Sequence, residues 1–305
     1  MQKVPYIWMD GKLIKWDEAN VHILTHTLHY GLGVFEGIRC YECVDGKSAI
    51  FRLNDHIQRL FDSAHINLIK IPYSKIQLMD ATKEVIRANK LKSAYIRPIA
   101  FMGDGEMGLH ATTNPIRVAI AAWPWGTYLG EDGVKNGIRA KISSFTRPTV
   151  NSIMNKSKTC GNYINSIWAK REALASGYEE AIMLDNEGYI SEATGENFFM
   201  VKNGVVHTPA LGNSILDGIT RATLLTYLKD QKIQTIEERI TRDQAYLADE
   251  VFVCGTAAEI TPIREIDDRT IGTGKPGPLT KKIQEFYFGV IRGKHSKYAE
   301  WLAFI

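Results

Sequence analysis

Two short apolar-rich runs open the chain, residues 6–9 and 12–16. Asp10 and Gly11 separate them. A two-residue Asp-Gly connection is preferred in β-hairpins because both of its residues tolerate a positive φ angle. The pattern therefore predicts that the chain begins with a hairpin.

Two later stretches repeat their apolar residues with helical spacing. Asn54 or Asp55 can serve as the N-cap of the first helix. The second helix is predicted over residues 76–89. The apolar residues that define one face of the first helix are Ile57, Leu60, Phe61 and Ala64.

Two strand-like runs follow, at 94–102 and 116–123. Residues 123–133 then break the periodicity with proline and glycine, which predicts a connection between domains. This connection is rich in aromatic residues, and exposed aromatics are unfavourable unless they cover something. A substrate lid and simple packing between domains both account for them. The predicted organisation is a small α/β domain at 1–122, an interdomain loop at 123–135 and a large α+β domain at 136–305.

The second half mixes predicted helices and strands, with turns indicated by Asn and Gly at 186–188 and 203–204. The Gly- and Pro-rich stretch 273–278 is predicted to be a loop. It lacks the spacing of a phosphate-binding P-loop and the Ser or Thr that ends that motif. This mixture of elements predicts an α+β fold.

The chain has 305 residues, enough for one large or two modest domains. Its net charge is only +3, and no basic stripe with interleaved aromatics occurs, which argues against a nucleic-acid partner. No apolar run is long enough to span a membrane. The first ten residues carry charge and a proline in place of an apolar signal region, so we expect a cytoplasmic protein.

Four cysteines occur, and two of them, Cys40 and Cys43, have the C-x-x-C spacing of redox pairs and zinc sites. No second pair completes a metal site, and in an extended segment an odd offset points the two thiols to opposite faces. Buried or incidental thiols are the better interpretation. The eight histidines are scattered and lack ligand spacing. We therefore expect no metal.

The most informative segment runs from Lys158 to Tyr163. Gly161 and Asn162 tolerate unusual backbone angles, so they allow a tight turn into a helix that ends at Gly177. Lys158 is therefore predicted to lie just before a helix, on a backbone held in place. The amphipathic run of that helix contains Ile164, Ile167, Trp168 and Ala169.

A lysine so placed can form a Schiff base with an aldehyde cofactor, for which its amine must be uncharged. Carbanion chemistry at the substrate also needs an electron sink, and a carboxylate that keeps a pyridine nitrogen protonated provides one. Glu192 and Glu196, downstream of Lys158, can each supply this carboxylate. The lysine and the acid together indicate a pyridoxal phosphate enzyme.

The phosphate of this cofactor needs a group of backbone N–H donors, such as a helix N-terminus. Residues 217–221 begin a predicted helix, in which the amides of Ile219 and Thr220 and the Thr220 hydroxyl can face a phosphate. Gly255 and Thr256 follow a strand-like run and offer close backbone approach with a second hydroxyl. An ordinary helix cap and a plain strand-end turn are the alternative interpretations.

These motifs resemble the fold-type IV pyridoxal phosphate aminotransferases, which share the D-amino acid aminotransferase-like fold, and most closely the bacterial branched-chain amino acid aminotransferases. The resemblance covers nearly the whole chain, with several separate motifs in one order. It implies a two-domain α+β fold with pyridoxal 5'-phosphate as cofactor. The motifs are HYG at 29–31, VFEGIR at 34–39, YIRP at 95–98, KTCGNY at 158–163, YISEATGEN at 189–197 and CGTAAEITP at 254–262.

The resemblance implies a set of cofactor-binding residues. Lys158 is the imine lysine and the catalytic acid and base. Glu192, rather than Glu196, meets the pyridine nitrogen, and Tyr163 donates to the phenolic oxygen. The other cofactor contacts are Leu216 against the ring, Arg59 as a cation at the phosphate, and Ile219, Thr220, Gly255 and Thr256 around the phosphate.

Substrate residues are implied in the same way. The amides of Thr256 and Ala257, with Tyr95, hold the α-carboxylate. Arg97 is two residues from Tyr95 on a predicted strand, so both side chains point to one face. Arg97 could bind the distal carboxylate of glutamate, and a surface salt bridge is the alternative. An apolar pocket for branched side chains is formed by Tyr30, Phe35, Trp125, Tyr128 and Tyr163.

The resemblance also concerns assembly. In the family, Tyr30 and the loop around Gly108 and Leu109 enter the site of the neighbouring subunit. A homodimer is therefore the expected minimum active unit, with a hexamer as a larger assembly. The other expected partners are amino acids and 2-oxo acids.

The implied reaction is a ping-pong transamination of leucine, isoleucine or valine with 2-oxoglutarate, giving branched-chain 2-oxo acids and L-glutamate. D-amino acid transamination and the aminodeoxychorismate lyase reaction use the same Lys158 and Glu192 equipment and are the alternatives. A non-enzymatic protein that binds vitamin B6 is a third, which the complete set of residues disfavours. Cys160 and Cys254 depart from the family pattern, and Cys160 beside Lys158 suggests sensitivity to thiol reagents.

Overall fold

A computed structural model describes residues 2–126 and 128–305 as a mixture of strands and helices, which confirms the predicted α+β class. In chain order the strands are β1 (Tyr6–Met9), β2 (Lys12–Lys15), β3 (Gly33–Phe35), β4 (Ile38–Glu42), β5 (Ser48–Phe51), β6 (Ala94–Met102), β7 (Ile116–Trp123), β8 (Ile138–Ile142), β9 (Glu180–Leu184), β10 (Ile190–Ala193), β11 (Asn197–Lys202), β12 (Val205–Pro209), β13 (Thr235–Glu238), β14 (Glu250–Gly255), β15 (Glu259–Ile266), β16 (Arg269–Thr270) and β17 (Leu302–Phe304). The helices are α1 (His26–Tyr30), α2 (Leu53–Ile66), α3 (Lys75–Ala88), α4 (Gly130–Asn136), α5 (Tyr163–Ala175), α6 (Ile219–Asp230), α7 (Arg242–Tyr246) and α8 (Pro278–Ile291).

The chain divides into two compact units. Unit 1 contains the chain through Trp125 together with Ser157–Asn162 and Gly289–Ile305, and unit 2 contains Gly126–Lys156 and Tyr163–Phe288. The predicted boundaries at 122 and 136 had placed both Ser157–Asn162 and Gly289–Ile305 in the large domain. The structure differs because β17 pairs antiparallel with β5, and because the lysine segment forms a bridge with β3. These are pairings between residues far apart in the chain, which local composition does not reveal.

The predicted interdomain loop at 123–135 is partly regular in the structure. Trp123 ends β7, and α4 begins at Gly130. Acidic residues fill the first turn of α4, where they interact favourably with the helix dipole. Thr127 belongs to the predicted loop but lies outside the described residues.

Unit 1 contains one sheet with strand order β17-β5-β4-β6-β7-β1-β2, and β3 pairs with β6. The predicted hairpin is confirmed: β1 and β2 pair antiparallel, with φ of 48° at Asp10 and 94° at Gly11. Strands β6 and β7 have the predicted bounds, and α3 begins one residue before the prediction. Side chains buried in this core include Ile38, Ile50, Ile57, Leu60, Leu78, Ile86 and Ile96.

The N-cap predicted for the first long helix was wrong. Helix α2 begins at Leu53, and its N-cap is Arg52, which has a left-handed φ of 52°. Asn54 and Asp55 therefore lie inside the first turn. Leu53 is buried in the core, so tertiary packing extends the helix past the residues with the better capping chemistry.

Unit 2 contains a second sheet with order β10-β9-β8-β15-β14-β11-β12-β13, and β16 pairs with β15. Most pairs are antiparallel, but β8 pairs in parallel with both β9 and β15, and β12 pairs in parallel with β13. The predicted turns are confirmed, with positive φ at Gly188, Asn203 and Gly204. Buried core residues of this unit include Ile138, Ile182, Phe198, Val253 and Ile263.

Helix α5 follows the lysine segment as predicted, but its amphipathic face was assigned wrongly. Ile164, Ile167 and Trp168 are exposed on unit 2, whereas Ala169 is buried. Ala169 and Ala173 pack with residues of β9 in a small apolar cluster. The small alanine side chains let α5 approach β9 closely. The face of α5 toward the sheet therefore has no room for the larger apolar side chains, which lie on the exposed face.

Among the helices in the described part of the chain, none has the length and apolar character needed to cross a bilayer. Across residues 2–126 and 128–305, no three His, Cys, Asp or Glu side chains are placed to hold a metal ion. Cys40 and Cys43 are buried free thiols, as expected. Burial, with Cys43 as a smaller cause, raises the pKa of Cys40 to about 12.

Candidate active site

The backbone of Lys158 is held from two sides within unit 1. Its carbonyl oxygen accepts a hydrogen bond from the Phe35 amide at 3.1 Å, and its amide donates to Ser63 Oγ at 3.0 Å. The amide of Gly161 donates to the carbonyl oxygen of Gly31, and a Cβ at Gly31 would lie only 2.9 Å from Gly161 Cα. Strand β3 and helix α2 thus fix the lysine before α5 begins.

The side chain of Lys158 lies beside several predicted substrate residues of unit 1. Its Nζ is 5.1 Å from the centre of the Phe35 ring, and the Arg97 guanidinium carbon lies 4.6 Å from the same ring. Arg97 Nη2 donates to the Tyr95 hydroxyl at 3.2 Å, so both side chains share one face as predicted. The Tyr95 and Trp125 rings are 5.2 Å apart. The structure therefore brings all five residues together.

Two further features shape this part of unit 1. A Cβ on Gly37 would overlap the Tyr95 hydroxyl, so only glycine leaves room for that hydroxyl. Arg97 Nε is buried, and it has no hydrogen-bond partner among the described residues. Burial raises the pKa of Cys160 although Arg97 opposes the shift, so the neutral thiol is favoured at neutral pH. This weakens the expectation that thiol reagents attack Cys160 readily.

Arg59, predicted as the phosphate cation, is held by a carboxylate that the sequence did not single out. Arg59 Nε donates to Glu36 Oε1 at 2.7 Å, and Nη2 donates to Glu36 Oε2 at 2.9 Å. His56 Nδ1 lies 2.7 Å from the same Oε2. Glu36 and His56 are fully buried. This bidentate pairing with the carboxylate fixes the plane of the Arg59 guanidinium.

The charges of this triad follow from burial and pairing. Burial alone would raise the pKa of Glu36, but Arg59 and His56 hold it well below its ordinary range. Burial lowers the pKa of His56, and Arg59 and Lys158 add to this effect, although Glu36 opposes it. His56 is therefore neutral and donates its Nδ1 proton to an ionised Glu36. Of Glu36, His56 and Arg59, only Arg59 therefore carries a positive charge, and it keeps that charge at all ordinary pH values.

Tyr30 and Leu109 occupy a different part of unit 1. The Tyr30 ring packs against His26 at 4.5 Å between centroids, and His26 Nε2 lies 2.9 Å from the Gly108 carbonyl oxygen. His26 thus joins α1 to the loop that carries Leu109. Leu109 is 92% exposed, and Tyr30 is also exposed. Within this chain these two side chains extend into solvent.

Glu192 is the centre of a buried polar network in unit 2. It is 5% exposed, and its Oε1 lies 2.8 Å from Arg147 Nη2. Its Oε2 accepts hydrogen bonds from Asn197 Nδ2 at 3.2 Å and from the Leu216 amide at 3.1 Å. Three donors therefore orient the carboxylate. Leu216, the predicted ring contact, is joined to Glu192 directly.

Glu196 has a different environment. It is buried, its Oε2 accepts from the Gly195 amide at 3.0 Å, and it lies near Glu180. Burial first and the Glu180 charge second raise the pKa of Glu196 to about 8. Glu196 is thus mostly a neutral acid at pH 7, whereas an arginine supports the charged form of Glu192. This contrast supports Glu192 over Glu196 as the carboxylate for a pyridine nitrogen.

Helix α6 begins with an open N-terminus. Its N-cap is Gly218, which has no side chain to accept from the first amides, and Ile219 and Thr220 are the first helical residues. A Cβ on Gly218 would overlap Asn197 Oδ1, so glycine is required beside this network. Amides left open at a helix start favour an anion. The predicted phosphate residues of α6 therefore adjoin the Glu192 network.

The second predicted phosphate segment is the turn between β14 and β15. The segment begins at Gly255, the last residue of β14, and continues through Thr256 and Ala257; all three are half-buried. Pairing of β11 with β14 places Cys254 opposite Asn197. A Cβ on Gly255 would lie 3.3 Å from the carbonyl oxygen of Gly195. The sheet of unit 2 thus brings this turn close to the residues around Glu192.

The last two predicted pocket residues of unit 2 are Tyr163 and Tyr128. Tyr163 is the first residue of α5 and follows a 3-10 turn. Tyr128 is exposed, and Lys170 Nζ lies 5.4 Å from the centre of its ring. Lys170 also donates to Glu180 Oε2 at 2.6 Å.

Sequence reasoning missed the partners of the predicted residues. Arg147, Asn197 and Glu36 each bind a predicted site residue, and His56 contacts Glu36. No local motif marks Arg147 or His56. Glu36 and Asn197 stand inside quoted motifs, so their position next to predicted residues was an available signal. Contacts across 45 residues, as between Arg147 and Glu192, depend on the tertiary fold.

Residues 33–266 match the Amino-transferase class IV family, and the chain belongs to this family. It is 52% identical to a branched-chain-amino-acid aminotransferase of Pseudomonas aeruginosa, over 97% of this chain and 95% of the relative. It is also similar to the crystal structure of the Escherichia coli branched-chain amino acid aminotransferase, with a TM-score of 0.96, 46% identity and 99% of each chain covered.

A third comparison concerns a structure that contains the cofactor. The crystal structure of the branched-chain amino acid aminotransferase from Thermobaculum terrenum, in its PLP form, has a TM-score of 0.93 and 33% identity. The match covers 100% of this chain and 99% of that chain. Together these similarities confirm the predicted fold-type IV class. They also confirm the resemblance that the motifs indicated.

Proposed function

We propose that this protein is a pyridoxal phosphate enzyme that transfers amino groups between branched-chain L-amino acids and 2-oxoglutarate. The observation that carries the proposal is similarity along nearly the whole chain to two branched-chain aminotransferases, at 52% and 46% identity. The products are branched-chain 2-oxo acids and L-glutamate. Because the amino group leaves one substrate before the other binds, the kinetics are ping-pong.

The residues present fit pyridoxal phosphate. Unit 1 offers the Lys158 amine on a fixed backbone, and unit 2 offers an oriented carboxylate and an open helix start. When bound, the cofactor supplies an electron sink for a carbanion at the substrate α-carbon. The residues that would hold it are Lys158, Tyr163, Glu192, Leu216, Arg59, Ile219, Thr220, Gly255 and Thr256.

The chain's own residues then divide the work. The Lys158 amine takes the α-proton of the substrate and later returns a proton. Strand β3 and Ser63 keep this amine in place, because they bind the lysine backbone on both sides. Glu192 holds a proton at the ring nitrogen, and Arg147 and Asn197 keep its carboxylate oriented.

Substrate recognition must accept both an apolar side chain and the second carboxylate of glutamate. Phe35, Tyr95 and Trp125 provide an aromatic wall in unit 1 for leucine, isoleucine or valine. Arg97 lies against this wall and carries a buried Nε donor that lacks a partner among the described residues. This donor supports Arg97 as the group that binds the distal carboxylate of glutamate. The α-carboxylate is assigned to Tyr95 and the amides of Thr256 and Ala257.

We also propose an assembly and a location for this protein. Tyr30 and Leu109 are both exposed, which supports a homodimer. In such a dimer, these two side chains of each subunit complete the substrate pocket of the other subunit. A hexamer of such dimers is the larger assembly that we propose. The location that we propose is the cytoplasm, as the sequence predicts.

The alternative activities of the fold receive less support. D-amino acid transamination and the aminodeoxychorismate lyase reaction use the same lysine and glutamate. The relatives described above are branched-chain aminotransferases, and their similarity extends over nearly the whole chain. The partnerless donor on Arg97 also suits glutamate, which a lyase does not need as a second substrate.

The visible absorbance spectrum of the purified protein tests the proposal. L-leucine, L-glutamate and D-alanine are added separately, without an oxo acid acceptor. We expect L-leucine and L-glutamate each to convert the bound cofactor to its amine form, with loss of the visible band. A response to D-alanine alone would move the protein to the D-amino acid branch. A band that none of the three changes would favour the lyase or a binding protein.

A further inference from the structure

We propose that Arg147 is a positioning residue that keeps Glu192 ionised and oriented, and that it thereby secures the proton on the cofactor's ring nitrogen. The inference rests on the proposed function, because it assumes that Glu192 meets a pyridine ring. It assigns a role to a side chain that carries no sequence motif and lies 45 residues before its partner.

The geometry of Arg147 is that of a fixed cation. The residue is 8% exposed and lies in unit 2. Nη1 donates to Ser166 Oγ at 3.2 Å, Nε donates to the Ser214 carbonyl oxygen at 3.4 Å, and Nη2 lies 3.5 Å from Asn155 Oδ1. These acceptors are neutral. The shortest contact, at 2.8 Å, is to the Glu192 carboxylate.

The segment around Ser214 ties the two charges together. Its carbonyl oxygen accepts from Arg147 and also from Ser191 Oγ at 2.7 Å, next to Glu192 in the chain. Two residues further on, the Leu216 amide donates to Glu192. One short segment therefore contacts both members of the pair. Movement of Arg147 relative to Glu192 is restricted from several directions.

The charge of Arg147 matters because a guanidinium does not lose its proton in proteins. A permanent cation 2.8 Å from a carboxylate opposes protonation of that carboxylate. A proton shared between Glu192 and a ring nitrogen then stays on the nitrogen. Without Arg147, the buried carboxylate becomes a stronger base and can take that proton. The ring would then be a weaker electron sink.

Competition between two cofactors tests this role without measuring turnover. Full-length protein freed of cofactor is offered a mixture of pyridoxal phosphate and 1-deazapyridoxal phosphate, in which a C–H group replaces the ring nitrogen. The bound cofactors are then released and quantified by chromatography. Only the natural cofactor can use Glu192 at that position. The wild-type preference for pyridoxal phosphate therefore measures the contact between Glu192 and the ring nitrogen.

We expect R147Q to lower this preference about tenfold, the size of one charge-assisted hydrogen bond. R147K keeps the positive charge and should stay within about threefold of wild type. A purely structural role would weaken both cofactors equally, so an unchanged preference in R147Q would overturn the proposal. The control is R139Q, which removes another arginine of unit 2 that pairs with Glu265, and it should leave the preference unchanged.

A double-mutant cycle keeps the test decisive if R147Q does not fold. E192Q should already have the low preference, and R147Q/E192Q removes both buried charges at once, which costs less than removing one. If Arg147 acts through Glu192, the double variant has the same preference as E192Q. A further fall would overturn the proposal. Failure of the wild-type protein to bind pyridoxal phosphate would instead count against the proposed function.

Discussion

Unit 1 and unit 2 each contain a buried arginine–glutamate pair, and the two pairs have opposite roles. In unit 1, Glu36 binds Arg59 through two hydrogen bonds, so a carboxylate orients the predicted phosphate cation. In unit 2, Arg147 binds Glu192, so an arginine orients the predicted acid. In both units the group assigned to the cofactor is held by a buried charge of the opposite sign.

The difference between the pairs lies in the supporting groups. Both carboxylates also accept from a backbone amide, of Gly37 for Glu36 and of Leu216 for Glu192. Glu36 is fully buried and has a histidine as a further donor, whereas Glu192 has the side-chain amide of Asn197. A fully buried carboxylate without its cation is strongly destabilising, because the charge loses both water and partner. We therefore expect the unit 1 pair to matter more for stability and the unit 2 pair more for chemistry.

The largest expected effect comes from the Lys158 amine. K158A should bind pyridoxal phosphate but lower kcat for L-leucine and 2-oxoglutarate on the order of 10³-fold or more, because no other group replaces its proton transfer. Steady-state kinetics and the spectrum of the bound cofactor measure the two properties separately. Near-normal turnover would contradict the assignment of Lys158.

Removing the charge of Glu36 breaks the unit 1 pair. E36Q should lower the free energy of unfolding by about 3 kcal/mol, because Arg59 loses its bidentate carboxylate partner inside the core. Urea denaturation of the full chain measures this change in the free energy of unfolding. The control is E42Q, on the following strand, whose exposed pair with Lys92 should contribute under about 1 kcal/mol. Equal changes in the free energy of unfolding in E36Q and E42Q would show that the buried pair stabilises the protein no more than the exposed pair does.

Among the described residues, Glu196 has no arginine partner, so it shows how a carboxyl of unit 2 behaves without one. Its folded-state pKa of about 8 lies above the ordinary value of 4.5, so its contribution to stability is present at low pH and is lost as pH rises toward 8. E196Q removes this dependence and should gain on the order of 1–2 kcal/mol relative to wild type at pH 8 compared with pH 5.

Unfolding measured at both pH values checks this expectation. E187Q, at an exposed turn of the same unit, is the matched control and should follow wild type. If E196Q and wild type depend on pH identically, Glu196 is ionised in the folded protein. The contrast drawn between Glu192 and Glu196 would then fail.

His56 gives the smallest expected effect. Its folded-state pKa lies below the ordinary 6.5, so its contribution is present above that pH and is lost as the pH falls below it. H56Q should therefore reduce the loss of stability between about pH 7 and pH 5 by about 1 kcal/mol. H65Q, which changes an exposed histidine of the same helix, should not alter the slope. An unchanged slope in H56Q would mean that folding does not lower the pKa of His56.

Much of the local structure was predictable because its causes are local. Asp10 and Gly11 fix the first hairpin through their positive φ angles, and the periodicity of apolar residues gave α3, β6 and β7 nearly residue by residue. The cap of α2 and the buried face of α5 were predicted wrongly. In both, packing against a sheet overrode the local preference.

The sequence by itself determined the family and the residues that carry the proposed chemistry, because short motifs around Lys158, Glu192 and Gly255 keep their order and spacing. Only the tertiary structure decided which partners control them. Arg147 reaches Glu192 and Glu36 reaches Arg59 across long stretches of chain, and β17 returns the C-terminal segment to unit 1. Such pairings depend on strand order and burial, since a charge is committed to one partner only after folding removes the water around it.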